Sequence, residues 1–477
     1  MNRFNNLDPM DFRYMRSPKL KKLLLPYLSE NAMVAHMAQV EGALVKVLAK
    51  RKVCSKDVAK QVFTACNKVT AEEVYEEEDR IKHNIRALAN MIRKRVNNKA
   101  KPYVHLTATS HDIICTAEAL RYKELTNNVL VPTLIELEKT LISISLREKN
   151  TLQIGRTHGQ HAEPITFGFT MAEYVSRLGT RIQAIKTSGN NLRGQFSGAV
   201  GAYNASSLFF SSPMDFEKEV LKELSLKPAM HSTQVVEPEY MADFMHSIIS
   251  CFGVLANLAD DMRNLQRSEI GEVGELFAKK QVGSSTMPHK RNPINFENVK
   301  SMWKAMVPRM MTSYMDQISE HQRDLTNSAS SRFIPTLLSA FIASTMRMTR
   351  TMKKLGVDKA NLKKNFDMNK NMLAAEPLYI LLAFHDHPNA HEVVRQLTLE
   401  SQKTGAPLQD LAFDNAKLKP YLKKFTKQQL AVIKDPEKYT GASAKKVEKV
   451  CNYWKYYKGW KNGINLQRCR SWHWCCR

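Results

Sequence analysis

Between Met241 and Leu265 a single apolar stripe runs without a break: Met241, Phe244, Met245, Ile248, Ile249, Phe252, Leu255, Ala259, Met262 and Leu265. The steps of three and four are those of one helix face, sustained over about seven turns. A helix of that length must bury its stripe against other long helices, so the centre of the chain is expected to be an elongated bundle. Leu134, Leu137, Leu141 and Ile144 repeat the pattern and predict a second long helix. Glycine and proline number only 18 each among 477 residues, too few to punctuate a many-stranded chain. The expected fold class is therefore all-α, with an N-terminal helical domain over 1–110, a central long-helix bundle over 111–363 and a C-terminal helical domain over 364–477. Two stripes of this size exceed what one narrow chain is expected to cover, which predicts a homo-oligomer.

Before the bundle, Tyr27 to Lys50 reads as amphipathic helix, and the acidic run Glu76, Glu77, Glu78, Asp79 reads as a solvated first helical turn, where negative charge favours the dipole. No run approaches the ~20 consecutive apolar residues of a membrane span. Residues 1–18 also lack the apolar centre of a signal peptide, so a cytoplasmic protein with no membrane partner is expected. The net charge of +25 is spread along the chain, and the short clusters at Lys19–Lys22 and Arg93–Arg95 have no interleaved aromatics. That pattern fits attraction of a small anionic substrate better than nucleic-acid binding. Cys54, Cys66, Cys115, Cys251 and Cys451 stand singly, without metal-ligand spacing, and are expected to be reduced thiols. Trp472, Trp474, Cys469, Cys475 and Cys476 crowd the terminus; an irregular tail is expected there, with a metal site at His473 as the lesser reading.

Two polar, glycine-containing segments fit no helical or strand period and read as loops: 155-GRTHGQHAEP-164 and 283-GSSTMPHKRNP-293. In the second, Asn292 and Pro293 suit the cap and first position of a following helix. Lys290 and Asn292 would then stand at a helix N-terminus, where free amides, the dipole and an ammonium make a carboxylate site. A basic surface turn would explain any four of these residues; eleven in order call for more. In the first segment His158 and His161 stand in a polar, glycine-broken stretch, where a lone histidine would usually be structural or exposed. A third segment, 104-VHLTATSHDIICTA-117, holds His105 and a helix start at Thr109-Ser110.

The order Gly-Ser-Ser-x-Met-Pro-x-Lys-x-Asn at 283–292 resembles the fumarase/aspartase superfamily, and Thr-His-Gly-Gln at 157–160 resembles its second block. The resemblance implies that Ser284 removes the substrate's Cβ proton, that His158 protonates the leaving nitrogen, and that Glu297 pairs with this histidine. Ser285, Lys290 and Asn292 would bind substrate, with His105, Thr109 and Ser110 facing it. A serine base needs a field that stabilises its alkoxide, and a carbanion spread into a carboxylate needs cationic and amide donors. Cys115 stands where the superfamily usually has aspartate.

Further matches resemble the adenylosuccinate lyase family: Arg13-Tyr14 near the N-terminus, Lys82-His83-Asn84 with Asn84 in place of aspartate, Gln234, and the group Arg323, Ser328, Arg332. If a helix runs through the last group, Ser328 and Arg332 share one face, and two arginines suit a phosphate. The resemblance implies cleavage of adenylosuccinate, and of the related succinyl-carboxamide ribotide, with release of fumarate. It further implies no metal or organic cofactor, and a homotetramer whose active sites combine segments of three subunits. The rivals are a sister lyase acting on argininosuccinate and a non-catalytic helical scaffold, the latter favoured by Asn84 and Cys115.

Overall fold

A computed structural model describes residues 8–276, 286–287 and 289–463, with side chains to 460. Its spine is a rod over residues 110–147: the helix Ser110–Leu125, one π-helical turn Thr126–Leu130 and the helix Val131–Arg147 follow end to end. At about 1.5 Å per residue this rod is roughly 57 Å long. The helix Phe167–Asn190 packs back along it, and Glu239–Leu265, Ile294–Met306 and Ile334–Met352 complete the bundle.

Both predicted stripes face inward. Leu134, Leu137, Leu141 and Ile144 are buried, as are Phe244, Ile248, Phe252, Leu255, Ala259 and Met262; Phe252 meets Phe341 with ring centroids 5.3 Å apart. These stripes are thus covered within one chain, which corrects the argument that they demand a second copy. The apolar side chains left exposed lie elsewhere, among them Met311, Met315, Ile318 and Leu325. The stretches Pro18–Lys50 and Glu239–Leu265 are long and apolar enough to cross a membrane, but 72% and 67% of their most apolar windows is buried within the protein. That is the condition of core helices.

Three local expectations need correction. Tyr27 to Lys50 is broken at Ser29, whose hydroxyl caps the helix Glu30–Lys50 through the Ala32 amide at 3.1 Å. The acidic run lies late in the helix Ala71–Ile81, after a first turn formed by Glu72 and Glu73. Glu77 is buried there, and three cationic or amide side chains, Arg80, Lys94 and Asn90, surround its carboxylate. Finally, 155–164 is no loop. Leu152–Thr157 and Gln160–Thr166 form an antiparallel hairpin, and a second small sheet pairs Val273–Glu275 with Leu355–Val357.

After residue 367 a separate core forms around Leu378, Leu382, Leu408, Leu418 and Ile433. The helix Ser443–Lys455 then returns to the main bundle and packs on Phe167–Asn190. Trp454 lies over Gly179 so closely that a Cβ at that glycine would overlap the indole ring. The expected irregular tail with Trp472, His473 and the terminal cysteines lies outside the described residues, and among the described residues no cluster could hold a metal ion.

Candidate active site

The hairpin carries His158 at its tip. Thr157 pairs with Gln160 across the turn, so His158 and Gly159 are its two central residues, with φ of 53° and 75°. Both in the left-handed region is the geometry of the tight hairpin turn whose twist matches its strands. Glycine takes the second position without steric cost, and His158 is left exposed. The hairpin's base is fixed by Glu272, whose fully buried carboxylate accepts from Gln153 Nε2 at 2.8 Å, Arg156 Nη2 at 2.6 Å and Asn365 Nδ2 at 2.9 Å. A buried charge with three donors is a stable anchor.

Beside this anchor the 283–293 segment enters its helix. Asn292 does not cap it: Pro293 stands at the cap position without a side-chain bond, and Ile294–Met306 follows. The carboxylate of Glu275 performs the task instead, accepting from the Asn295 and Phe296 amides at 2.9 and 3.0 Å and from Asn295 Nδ2 at 2.6 Å. An anion from a neighbouring strand satisfies the first amides and the dipole better than the neutral local residue. Arg347 completes the clasp through Asn295 Oδ1 at 2.9 Å, and Tyr14 lies close enough to act on Arg347 electrostatically; Arg13 is exposed. Lys290, Asn292 and Glu297 line an open cleft of about 1310 Å³ together with Arg263, Arg267 and Lys359. Such a cationic rim can hold carboxylates. Ser284 and Ser285 lie outside the described residues. Among the ion pairs of the described residues none joins Glu297 to His158.

The remaining candidates gather at the opposite end of the rod. Thr109 caps its first helix, and Asp112 three residues on accepts from the Thr109 amide at 2.9 Å and from the Gly198 amide at 3.2 Å. Burial pushes the Asp112 carboxyl up to about 7, despite those two amides. Ser110 is the first helical residue. His105 precedes this start at φ 64°, its ring and amide bonded to buried Glu41. Lys82 and His83 form the junction of two helices: Lys82 sits at φ 56°, His83 Nδ1 accepts from the Arg86 amide at 3.2 Å, and Asn84 Oδ1 takes the Ile85 amide at 2.7 Å. These side chains cap a helix, and Arg86 of that helix is close enough to act on His105.

Gln234 donates its amide to Gln322 O at 3.2 Å, next to Arg323, and the charge of Arg323 reaches His111 and Cys115 on the rod. Arg323 itself has φ 140°, and its buried Nε has no partner among the described residues. Ser328 lies in a turn before the 3-10 segment Ser330–Phe333. The one-face register expected of an α-helix for Ser328 and Arg332 is therefore absent. Arg332 is exposed and acts on Tyr75 of the helix Ala71–Ile81.

The candidates thus form two groups. His105, Thr109, Ser110, Gln234 and Arg323 stand where the rod starts; the hairpin follows where it ends, and Glu272 ties that hairpin to the cleft of Lys290 and Glu297. With roughly 57 Å of helix between them, His105 and His158 of one chain cannot touch one small substrate. Sequence reasoning missed Glu41, Glu272 and Glu275, the three carboxylates that hold these groups in place.

A family profile described as Lyase matches residues 15–307, and one described as Adenylosuccinate lyase C-terminal matches 319–440. The chain is 33% identical to an adenylosuccinate lyase of Archaeoglobus fulgidus, covering 93% of this chain and 98% of the relative. It is 34% identical to one of Pyrococcus abyssi, covering 93% and 97%. Among solved structures, the 3-carboxy-cis,cis-muconate lactonizing enzyme of Pseudomonas putida superposes with a TM-score of 0.79 at 23% identity, over 93% of this chain and 98% of that one. A fumarate lyase from Mesorhizobium sp. BNC1 superposes at 0.77 and 20%, over 91% and 97%. The two structures share the all-helical fold; the sequence matches, full-length and above 30% identity, make this chain a member of the adenylosuccinate lyase family.

Proposed function

We propose that the chain cleaves adenylosuccinate to AMP and fumarate, and the related succinyl-carboxamide ribotide in the same way, by β-elimination. The observation that carries this reading is likeness to adenylosuccinate lyases over nearly the whole chain. Ser284 takes the Cβ proton, the electron pair forms the fumarate double bond as the carbon–nitrogen bond breaks, and His158 gives its proton to the departing nitrogen. Lys290 and Asn292 hold the carboxylates on which negative charge grows. Arg323, Ser328 and Arg332 receive the phosphate, and the unpartnered Nε of Arg323 supports that role. His105, Thr109, Ser110, Gln234, Arg13, Tyr14 and the Lys82-His83-Asn84 junction complete the substrate contacts. Every group required is a side chain or amide of the protein, and the reaction as written uses no cofactor.

Each active site is assembled from different copies in a homotetramer. The separation of His105 from His158 along the rod supports this, as does the exposure of His158 at the hairpin tip. Glu297 of another copy supplies the carboxylate that pairs with it. The test is to incubate purified protein with adenylosuccinate and follow loss of its absorbance together with appearance of fumarate. Stoichiometric AMP and fumarate are expected. Faster turnover of argininosuccinate, or none of either, would overturn the substrate reading.

A further inference from the structure

Glu41 lies in the middle of the helix Glu30–Lys50, on the face that also buries Met37, Val40, Leu44 and Leu48, and only 1% of it is exposed. A carboxylate there is costly unless its oxygens are satisfied. Both are used by one residue: Oε2 accepts from the His105 backbone amide at 3.1 Å, and Oε1 meets His105 Nδ1 at 2.6 Å. An acceptor on Nδ1 demands a proton on that nitrogen, so that Nε2 carries a hydrogen as well when the ring is the imidazolium cation. Glu41 also holds a residue in the left-handed region, at φ 64°, which residues with a Cβ seldom adopt. Nε2 is left as the ring nitrogen able to meet a ligand.

We propose that Glu41 is a positioning residue that acts through His105: it locks the imidazole so that Nε2–H is presented to an anionic group of the substrate. This rests on the reading above that His105 faces that substrate. Three charged groups face the ring from the elements packed around it: Glu41 from its own helix, Asp112 from the first turn of the rod, and Arg86 from the helix Asn84–Arg93. Burial pulls the imidazole down; the charge and hydrogen bond of Glu41, with help from Asp112, outweigh it against Arg86, and the net direction is up. His105 therefore keeps its second proton, and its positive charge, to higher pH than a free imidazole.

Glu41→Gln keeps the shape and removes the charge. In that variant KM for adenylosuccinate is expected to rise about tenfold, the scale of weakening one charge-assisted hydrogen bond, while kcat stays within about twofold. Glu41→Asp, which keeps the charge, should recover part of the KM. Histidine-selective 15N spectra, compared with those of His105→Gln to identify the resonance, should show Nδ1 protonated in the unmodified protein. They should also show a titration midpoint that falls in Glu41→Gln. A folded Glu41→Gln protein with unchanged KM would overturn the proposal, and so would an Nδ1 without a proton in the unmodified protein, which decides the matter even if the variant fails to fold. Absence of adenylosuccinate cleavage by the unmodified protein would remove the substrate reading and leave the spectra to decide the role of Glu41.

Discussion

The two ends of the rod are built on different terms. At the start, the groups that build the cap are bound within the chain: Thr109 and Asp112 close it, Gly198 donates to the same carboxylate, and Glu41 grips His105. At the far end the hairpin's base is equally well held by Glu272, yet its tip leaves His158 exposed. An end finished internally can receive a ligand but supplies only part of the chemistry. The contrast supports the proposal that reactive groups and binding groups of one chain serve different active sites.

The sharpest way to break this picture is to remove the exposed proton donor. His158→Ala should lower kcat by on the order of 10²-fold or more, the usual worth of a positioned acid, with helical content and oligomer size unchanged. Mixing it with inactive Ser284→Ala protein under conditions of subunit exchange should restore measurable activity. A fully active monomer, or no recovery from the mixture, would mean that each chain completes its own site. Next in size, Arg332→Ala should weaken binding of adenylosuccinate by roughly 2 kcal/mol, the scale of one hydrogen bond to a charged group. Equal use of the dephosphorylated nucleoside by the unmodified enzyme would show that no phosphate is read there. At the internally finished end, Thr109→Ala should cost about 1 kcal/mol of stability as a lost cap, seen in denaturant unfolding, whereas His158→Ala should cost almost none.

Between the ends, Glu138 supplies a control that favours neither. Its carboxyl oxygens are buried without a hydrogen-bond partner among the described residues, and burial pushes the group up to about 9 from its ordinary 4.5. The folded protein keeps a proton there that the unfolded chain releases, so the group's contribution to stability is full below pH 4.5 and is lost as pH rises toward 9. Glu138→Gln should therefore raise the melting temperature at pH 9, by roughly 2 °C or more, and lose that advantage by pH 5. A gain that is the same at both pH values would show that ionisation is not the cause.

Much of the framework was legible because it is periodic. The stripe from Met241 to Leu265 is read off seven turns, and nothing local competes with it. The hairpin was not, since its strands are short and polar, and Gly155 and Gly159 look like loop punctuation. The available sign was Gly159 at the second position of a two-residue turn, flanked by Ile154, Thr157, Ile165 and Thr166. The cap at Asn292 was misread for a different reason: local sequence cannot show that Glu275, twenty residues upstream of Asn295, will reach the same amides. Glu41 could have been found, because a lone carboxylate on an apolar helix face must have a buried partner. Which histidine would be that partner was not written in the spacing.

The π-helical turn at Thr126–Leu130 has a consequence for how such a chain can change over time. A π turn accommodates one residue beyond the α-helical count, and each residue in a helix advances the angle by about 100°. The segment therefore takes up that residue while keeping the rotational phase between the half of the rod that begins at Thr109 and the half that leads to the hairpin. Gly189 abuts Thr126 so closely that a Cβ there would collide with it, and the Thr126 hydroxyl bonds to Tyr122 O at 2.7 Å. That contact pins the turn against the neighbouring helix. Deleting one residue within it would restore a regular helix and leave the phase nearly unchanged, whereas a deletion elsewhere in the rod would swing His158 by about a quarter turn relative to His105.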